Sequence, residues 1–259
     1  MKRKIIQFLS FIGLNSYFKG FINKVNYSGQ LKGVCIPVLN CWSCPSALTS
    51  CPIGALEIYI KSRNFSFFPL LFIIVPGILF GRFFCGFVCP AGFLQELIVM
   101  VKSKKIKLSS FFEQIPLFSL IFGVFVFSYI FSNAWFSRYI CPMGTLEASI
   151  PWLIIEPNLR ESLDLIFYFK IFFLILIILM CIIVYRFFCR VLCPLGFMLG
   201  LFNRFAFLKI KYNSERCNRC EKCKNICPVE LNVPKDVNDI KCIRCMHCIN
   251  SCGRGCLSL

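Results

Sequence analysis

A chain of 259 residues with 58% hydrophobic residues and 31 phenylalanines carries more apolar surface than a soluble core needs, and its mean hydropathy of +0.72 places most of it in lipid. The net charge of +17 does not call for nucleic acid. Lysine and arginine are spread over short inter-helix segments and a cysteine-rich tail, the pattern of cytoplasmic membrane flanks and a solvated face. Nineteen cysteines in short clusters of CxxC and CxxxCP spacing favour metal ligation over a small disulfide scaffold. With His247 as the single histidine, a membrane haem held by paired histidines is excluded, and no haem is expected.

In chain order, "MKRKIIQFLSFIGLNSYF" lacks a small-residue cleavage site and reads as an uncleaved first span over 5–22, weakened by Asn15, Ser16 and Lys19. Three stronger apolar segments follow at 65–84, 115–136 and 165–185, each near the ~20 residues that cross the hydrocarbon. Pro76 before Gly77 predicts a kink in the first of these, and Lys170 can snorkel from the last. The basic segments "MKRK", "KSKKIKLSS" and the region from Arg204 onward fall on one side if there are four spans, so both termini are expected in the cytoplasm. Loops 23–64 and 137–163 then face outward, in a multi-pass protein of the cytoplasmic (inner) membrane.

An internal repeat runs through these spans. "CPIGALE" at 51–57 and "GRFFCGFVCPAGF" at 81–93 return as "CPMGTLEA" at 141–148 and "YRFFCRVLCPLGF" at 185–197. Two helix-pair units about a rough two-fold axis along the membrane normal would explain the matching sides. The expected fold class is therefore an all-α membrane protein, with four transmembrane helices in two repeated helix-pair units over 1–210. A small bacterial-type two-[4Fe-4S] ferredoxin domain follows over 211–259, too short for a large core and held by its metal sites.

The tail carries the sharpest signal. Cys217, Cys220, Cys223 and Cys227 follow C-x2-C-x2-C-x3-C-P, and Cys242, Cys245, Cys248 and Cys252 repeat it with glycine for the last proline. In this signature the fourth cysteine serves the other cluster, which groups Cys217, Cys220 and Cys223 with Cys252, and Cys242, Cys245 and Cys248 with Cys227. A four-sulfur zinc site is the structural alternative. Cys85 and Cys89, with Cys189 and Cys193, would bring four thiolates to the inner surface for a third [4Fe-4S] cluster, unless each pair meets ligands of a partner protein. Outside, Cys41, Cys44, Cys51 and Cys141 also sum to four, for a fourth cluster or for disulfides such as Cys41–Cys44 and Cys51–Cys141. Cys35 is a substitute outer ligand, Cys181 a small buried hydrophobe and Cys256 incidental.

Arg82 and Arg186 stand at the same place in the two repeats, three residues before the first inner cysteine. The ordinary reading is an arginine snorkelling to headgroups, and the functional one is neutralisation of cluster or quinone charge. Glu57 and Glu147 also match. Their ordinary role is that of a solvated or helix-capping carboxylate, and their functional one is to take protons from a quinol.

Together, "NCWSCPSALTSCPIGALE", "GRFFCGFVCPAGF", "FSRYICPMGTLEA", "YRFFCRVLCPLGF" and the paired ferredoxin motifs resemble the polyferredoxin-like integral membrane proteins. That family includes the quinol dehydrogenase membrane subunit of periplasmic nitrate reductase systems and the C-terminal part of the nitrous oxide reductase regulators. The resemblance covers nearly the whole chain and, lacking a large extracytoplasmic flavin domain, lies closer to the small membrane subunit. It implies four spans, two tail [4Fe-4S] clusters, and electron passage between a quinone or quinol and a redox partner such as a ferredoxin-type subunit. It also implies an electron-transfer role for Cys85, Cys89, Cys189 and Cys193. The chain is expected to be an iron-sulfur electron carrier in the lipid bilayer, a component of a quinol dehydrogenase at most. A redox sensor or assembly factor is the alternative.

Overall fold

A computed structural model describes residues 2–64, 66–101, 105–106 and 108–259. The helix Leu165–Ile183 is the longest, 19 residues of almost unbroken Leu, Ile and Phe. At 1.5 Å per residue it is about 28 Å long, enough for the hydrocarbon. Leu174, Ile177 and Cys181 recur at three- and four-residue steps and are buried, so this stripe faces the protein. Phe169, Phe172, Ile175 and Leu179 on the other faces stay exposed. An apolar surface of that extent belongs against acyl chains.

Among the described residues three helical stretches are long and apolar enough to cross a membrane: Arg3–Asn23, Phe111–Ile130 and Leu165–Ile183. The weak first segment is among them, although it is built from Lys2–Leu14 and Lys19–Asn23 with a break where Asn15 bonds Asn40. The strong segment expected at 65–84 is instead a helix of 13 residues, Phe68–Phe80, followed by the short Phe83–Phe87. The helix ends at Gly81, whose φ of 52° leaves the helical region, and the turned chain is held by the Arg82 N–H donating to Asn203 Oδ1 at 3.0 Å. Four of the residues in the basic linker 102–110 lie outside the described residues. The middle of Phe111–Ile130 is wound wide over Ser119–Val126, a π-type segment between two α-helical turns.

Four of the five Cys-Pro steps in the membrane part, all but Cys44-Pro45, have the same local form. Cys51, Cys89, Cys141 and Cys193 have ψ between 108° and 130°, because the residue before proline is pushed out of the α region. The proline then opens a new helix, where its missing N–H costs nothing. Thus Pro52–Lys61, Pro90–Val99 and Pro194–Leu201 each begin directly after a cysteine. The inner motifs become helical hairpins, Phe83–Phe87 with Pro90–Val99 and Phe187–Val191 with Pro194–Leu201. Cys51, Cys85, Cys89, Cys181 and Cys193 sit in the main apolar core with Ile53, Leu56, Phe136 and Phe188.

After Ile210 the character changes. Lys211–Tyr212 pairs antiparallel with Leu257–Ser258, and between them lie two short helices, Lys222–Asn225 and His247–Ser251. Their side chains gather around a separate apolar cluster that includes Val229, Leu231, Val237, Ile243 and Leu257. This tail is bolted to the membrane part. Asn203 donates to the carbonyls of Asp239 and Cys242, and Arg244, fully buried, donates to those of Phe80 and Asn203.

Candidate metal centres

The eight tail cysteines sort into two groups. Cys217, Cys220, Cys223 and Cys252 line one open cavity of about 900 Å³, with Cys256 and Tyr212 beside them. Cys227, Cys242, Cys245 and Cys248 line a second, tight one of about 20 Å³, with His247 and Arg244. The fourth cysteine of each run has crossed to the other group, as the ferredoxin signature requires.

The surroundings of two cysteines of the first group suit anionic sulfur. The Arg219 N–H reaches Cys217 Sγ at 3.4 Å and the Cys256 N–H reaches Cys252 Sγ at 3.3 Å. A hydrogen bond from the Tyr212 hydroxyl holds the Cys217 thiol below its ordinary value. For Cys252, slight burial acts upward but the N–H groups of Cys256 and Arg254 outweigh it. In the second group burial dominates, pushing Cys242 up to about 11 and Cys248 up to about 12. Among the described residues no three His, Cys, Asp or Glu side chains are gathered as a single ion needs. Zinc would draw its sulfurs to about 3.8 Å from one another, from Zn–S bonds near 2.3 Å. Thiols ranged round a cavity fit a larger group such as an iron-sulfur cube. Cys256, expected to be incidental, is buried on the wall of the first cavity.

The inner four are all buried and within electrostatic reach of one another, Cys193 facing Cys189, Cys85 and Cys89. Gln95 Nε2 donates to Cys189 Sγ at 3.0 Å and the Gly196 N–H to Cys193 Sγ at 3.3 Å. Gln95 escaped the sequence reading. Its only signal there was being a polar residue inside the apolar run "PAGFLQELIV".

Arg82 and Arg186 do not snorkel. Both are buried, and they cross: Arg82 Nη2 donates to the Cys189 carbonyl at 3.2 Å and Arg186 Nη1 to the Cys85 carbonyl at 2.6 Å. Each repeat thus braces the other's cysteine. Gly92 and Gly196 make room, since a Cβ on Gly92 would stand 3.1 Å from Arg186 Nη1 and one on Gly196 3.0 Å from Arg82 Nη2. Headgroup contact is ruled out because the guanidinium groups find carbonyls inside the protein first.

Cys41, Cys51 and Cys141, the cysteines expected on the outer side, line a cavity of about 580 Å³ with Trp42, Phe136 and Trp152. Cys44 does not join them; its Sγ lies 3.1 Å from Ser46 Oγ. Lys170, expected to snorkel, lines this cavity and donates to Ser149 Oγ. All nineteen cysteines are free, so neither expected outer disulfide is formed. Cys35 is buried and its backbone pairs with Ser50, next to Cys51.

Glu57 and Glu147 are buried rather than solvated. Glu57 accepts the N–H groups of Phe136 and Ser137 and the hydroxyls of Ser128 and Ser137, so it caps the helical turn Phe136–Ile140. Burial nevertheless pushes it up to about 7. Glu147 accepts the Cys41 N–H at 2.7 Å and is pushed by burial to about 8.

Residues 65–109, 114–154 and 166–213 match the 4Fe-4S binding domain family. The chain belongs to this family of polyferredoxin-like membrane iron-sulfur proteins. The matched stretches hold Cys85, Cys89, Cys141, Cys181, Cys189 and Cys193 and end before the tail motifs, which begin at Cys217. An uncharacterized protein of Methanocaldococcus jannaschii is 30% identical over 219 residues, 80% of this chain and 85% of its own length. The regulatory protein NosR of Stutzerimonas stutzeri is 28% identical over 179 residues, 62% of this chain and 23% of that one. A putative electron transport protein, YccM of Escherichia coli, is 25% identical over 194 residues, 71% and 52% of the two chains. No solved structure matches. The family kinship and the apolar helices make this an iron-sulfur membrane protein related to electron-transport proteins.

Proposed function

We propose that the chain is a membrane-bound iron-sulfur electron carrier that passes electrons between the quinone pool and a redox partner protein. In this reading it has four spans, Phe68–Phe80 and its short sequel being the fourth, in two repeated units. Residues 211–259 form a cytoplasmic two-cluster ferredoxin domain, for which the separate apolar cluster of the tail gives support. One observation carries the proposal: the tail cysteines divide between two cavities with their fourth members exchanged.

Cys217, Cys220, Cys223 and Cys252 would hold one [4Fe-4S] cluster, and Cys242, Cys245, Cys248 and Cys227 the other. Cys85, Cys89, Cys189 and Cys193 would hold a third, favoured by the N–H donors that Gln95 and Gly196 direct at their sulfurs. A fourth, outer site would draw on Cys41, Cys51 and Cys141, with Cys44 released from Ser46. Such clusters supply one-electron transfer at a potential set by charge, hydrogen bonds and exposure. The protein's own part is to keep the sulfurs anionic, exclude water from the buried groups and leave the first tail site open to a partner.

Iron and acid-labile sulfide counted on anaerobically purified protein test this. About eight irons per chain mean the tail clusters, about twelve add the inner one and about sixteen the outer. Reduction by a quinol analogue at a turnover-competent rate supports the carrier. Clusters inert to quinols and to reduced ferredoxin would favour the sensor reading, for which the description of one relative as a regulatory protein speaks.

A further inference from the structure

Arg82 and Arg186 are equivalent in sequence and make equivalent bonds to the partner repeat's cysteine carbonyl, but their charges are treated differently. Arg186 Nη2 lies 2.7 Å from Glu96, a carboxylate that also takes Arg3 at 2.8 Å and the Tyr185 hydroxyl. Arg82 has no such partner among the described residues. Its Nη1 donates to the Ile240 carbonyl at 2.8 Å, its Nη2 to the Cys189 carbonyl, and its Nε is buried with no acceptor. Glu113 and Asp239 line the cavity of about 230 Å³ that Arg82 borders. Neither forms an ion pair with Arg82: Glu113 pairs with Lys241 Nζ, and Asp239 Oδ1 accepts the Lys241 backbone N–H. A guanidinium taken out of water and met only by carbonyls is costly unless an anion lies close. The thiolates of Cys85, Cys89, Cys189 and Cys193 are anions this fold can supply, and Arg82 is within electrostatic reach of Cys189.

We propose that Arg82 is a positioning residue whose unmatched charge raises the reduction potential of a cluster held by Cys85, Cys89, Cys189 and Cys193, a proposal that rests on the inner-cluster reading above. Adding an electron makes the cluster more negative, and a fixed cation in a low-dielectric site favours that state. The same guanidinium bonds the Cys189 and Ile240 carbonyls and so ties the inner motif to the loop that precedes Cys242.

The test uses the full-length protein, with iron and sulfide counted and each cluster titrated by potentiometric EPR. In Arg82→Gln with wild-type iron content, the inner cluster's midpoint is expected to move to more negative potential while the first tail cluster's stays put. Arg82→Lys, which keeps the charge, is expected to restore most of the shift. An unshifted midpoint in Arg82→Gln, or an equal shift in Arg82→Lys, overturns the proposal. If Arg82→Gln loses iron, Leu108→Glu places a carboxylate in the cavity beside Arg82 without touching its bonds. A smaller shift in the same direction is expected there, and an unshifted midpoint again overturns the proposal. Wild-type protein with tail iron only would refute the inner-cluster reading and the proposal together; full iron with unshifted variants refutes the proposal alone.

Discussion

The two tail sites share one sequence pattern yet are opposite in setting. Cys220 is exposed and Cys217, Cys223 and Cys252 half-buried around an open cavity, while Cys242 and Cys248 are buried in a tight one. The difference comes from what each loop touches. The first loop faces outward with lysine and arginine around it, as in Arg219, Lys222 and Lys224. The second is pressed into the membrane part, where Arg244, between two of its cysteines, reaches Phe80 and Asn203. Identical ligand spacing thus sits in two settings, one open and one docked on the chain's own body.

Ligand loss should separate the sites most. Cys220→Ser and Cys248→Ser are each expected to lose one cluster's iron, but only Cys248→Ser should also loosen the tail, read as faster amide exchange over 240–248. Equal exchange in both variants would break the contrast. A smaller but still large effect is expected from Arg186→Met, which strips a buried ion pair and the brace on the Cys85 carbonyl. Removing one partner of such a pair costs roughly 3–5 kcal/mol, measurable as a lower midpoint of unfolding in detergent. Retained stability would mean that Arg3 alone satisfies Glu96.

Gly86 sharpens the comparison at the docking surface itself. A Cβ there would collide with the Ile243 carbonyl oxygen, backbone that cannot easily yield. Gly86→Ala is expected to cost roughly 1–3 kcal/mol and to perturb the EPR signal of the second tail site while sparing the first. Glu57 supplies a pH-dependent effect. Its folded value is raised by burial from 4.5 to about 7. The folded state therefore holds this proton more tightly, and the stability it adds is complete below about 4.5 and lost as pH rises through about 7. Melting temperature should fall between pH 5 and pH 8 in the wild type and fall less in Glu57→Gln; parallel profiles would contradict the assignment.

Much of the tail was legible because its information is local. Three cysteines two residues apart must surround one object, and the exchange of the fourth follows from the motif. The Cys-Pro steps were legible for the same reason, since proline acts on its neighbour. What the sequence could not convey was how distant segments meet. The position of Arg82 and Arg186 at a membrane surface suggested headgroups, and only folding the two hairpins together turns each guanidinium onto the other's cysteine. Glu57 read as a solvated or helix-capping carboxylate; it does cap, with the Phe136 and Ser137 N–H groups, but in a buried setting that only the distant segment around Phe136 creates. The segment 65–84 is apolar enough for one helix, and the turned chain at its interruption is held by Asn203, far along the chain. Cys44 counts as an outer ligand by arithmetic; its sulfur lies 3.1 Å from Ser46 Oγ and within electrostatic reach of Cys41.

The central claim is that Cys252 belongs with Cys217, Cys220 and Cys223, and Cys227 with Cys242, Cys245 and Cys248, around iron-sulfur clusters. EPR of dithionite-reduced, anaerobically prepared single serine variants tests it most directly. Cys252→Ser and Cys217→Ser should alter the same signal, and Cys227→Ser and Cys242→Ser the other. If Cys252→Ser instead altered the signal shared with Cys242, or the protein held zinc and no acid-labile sulfide, the account would be contradicted.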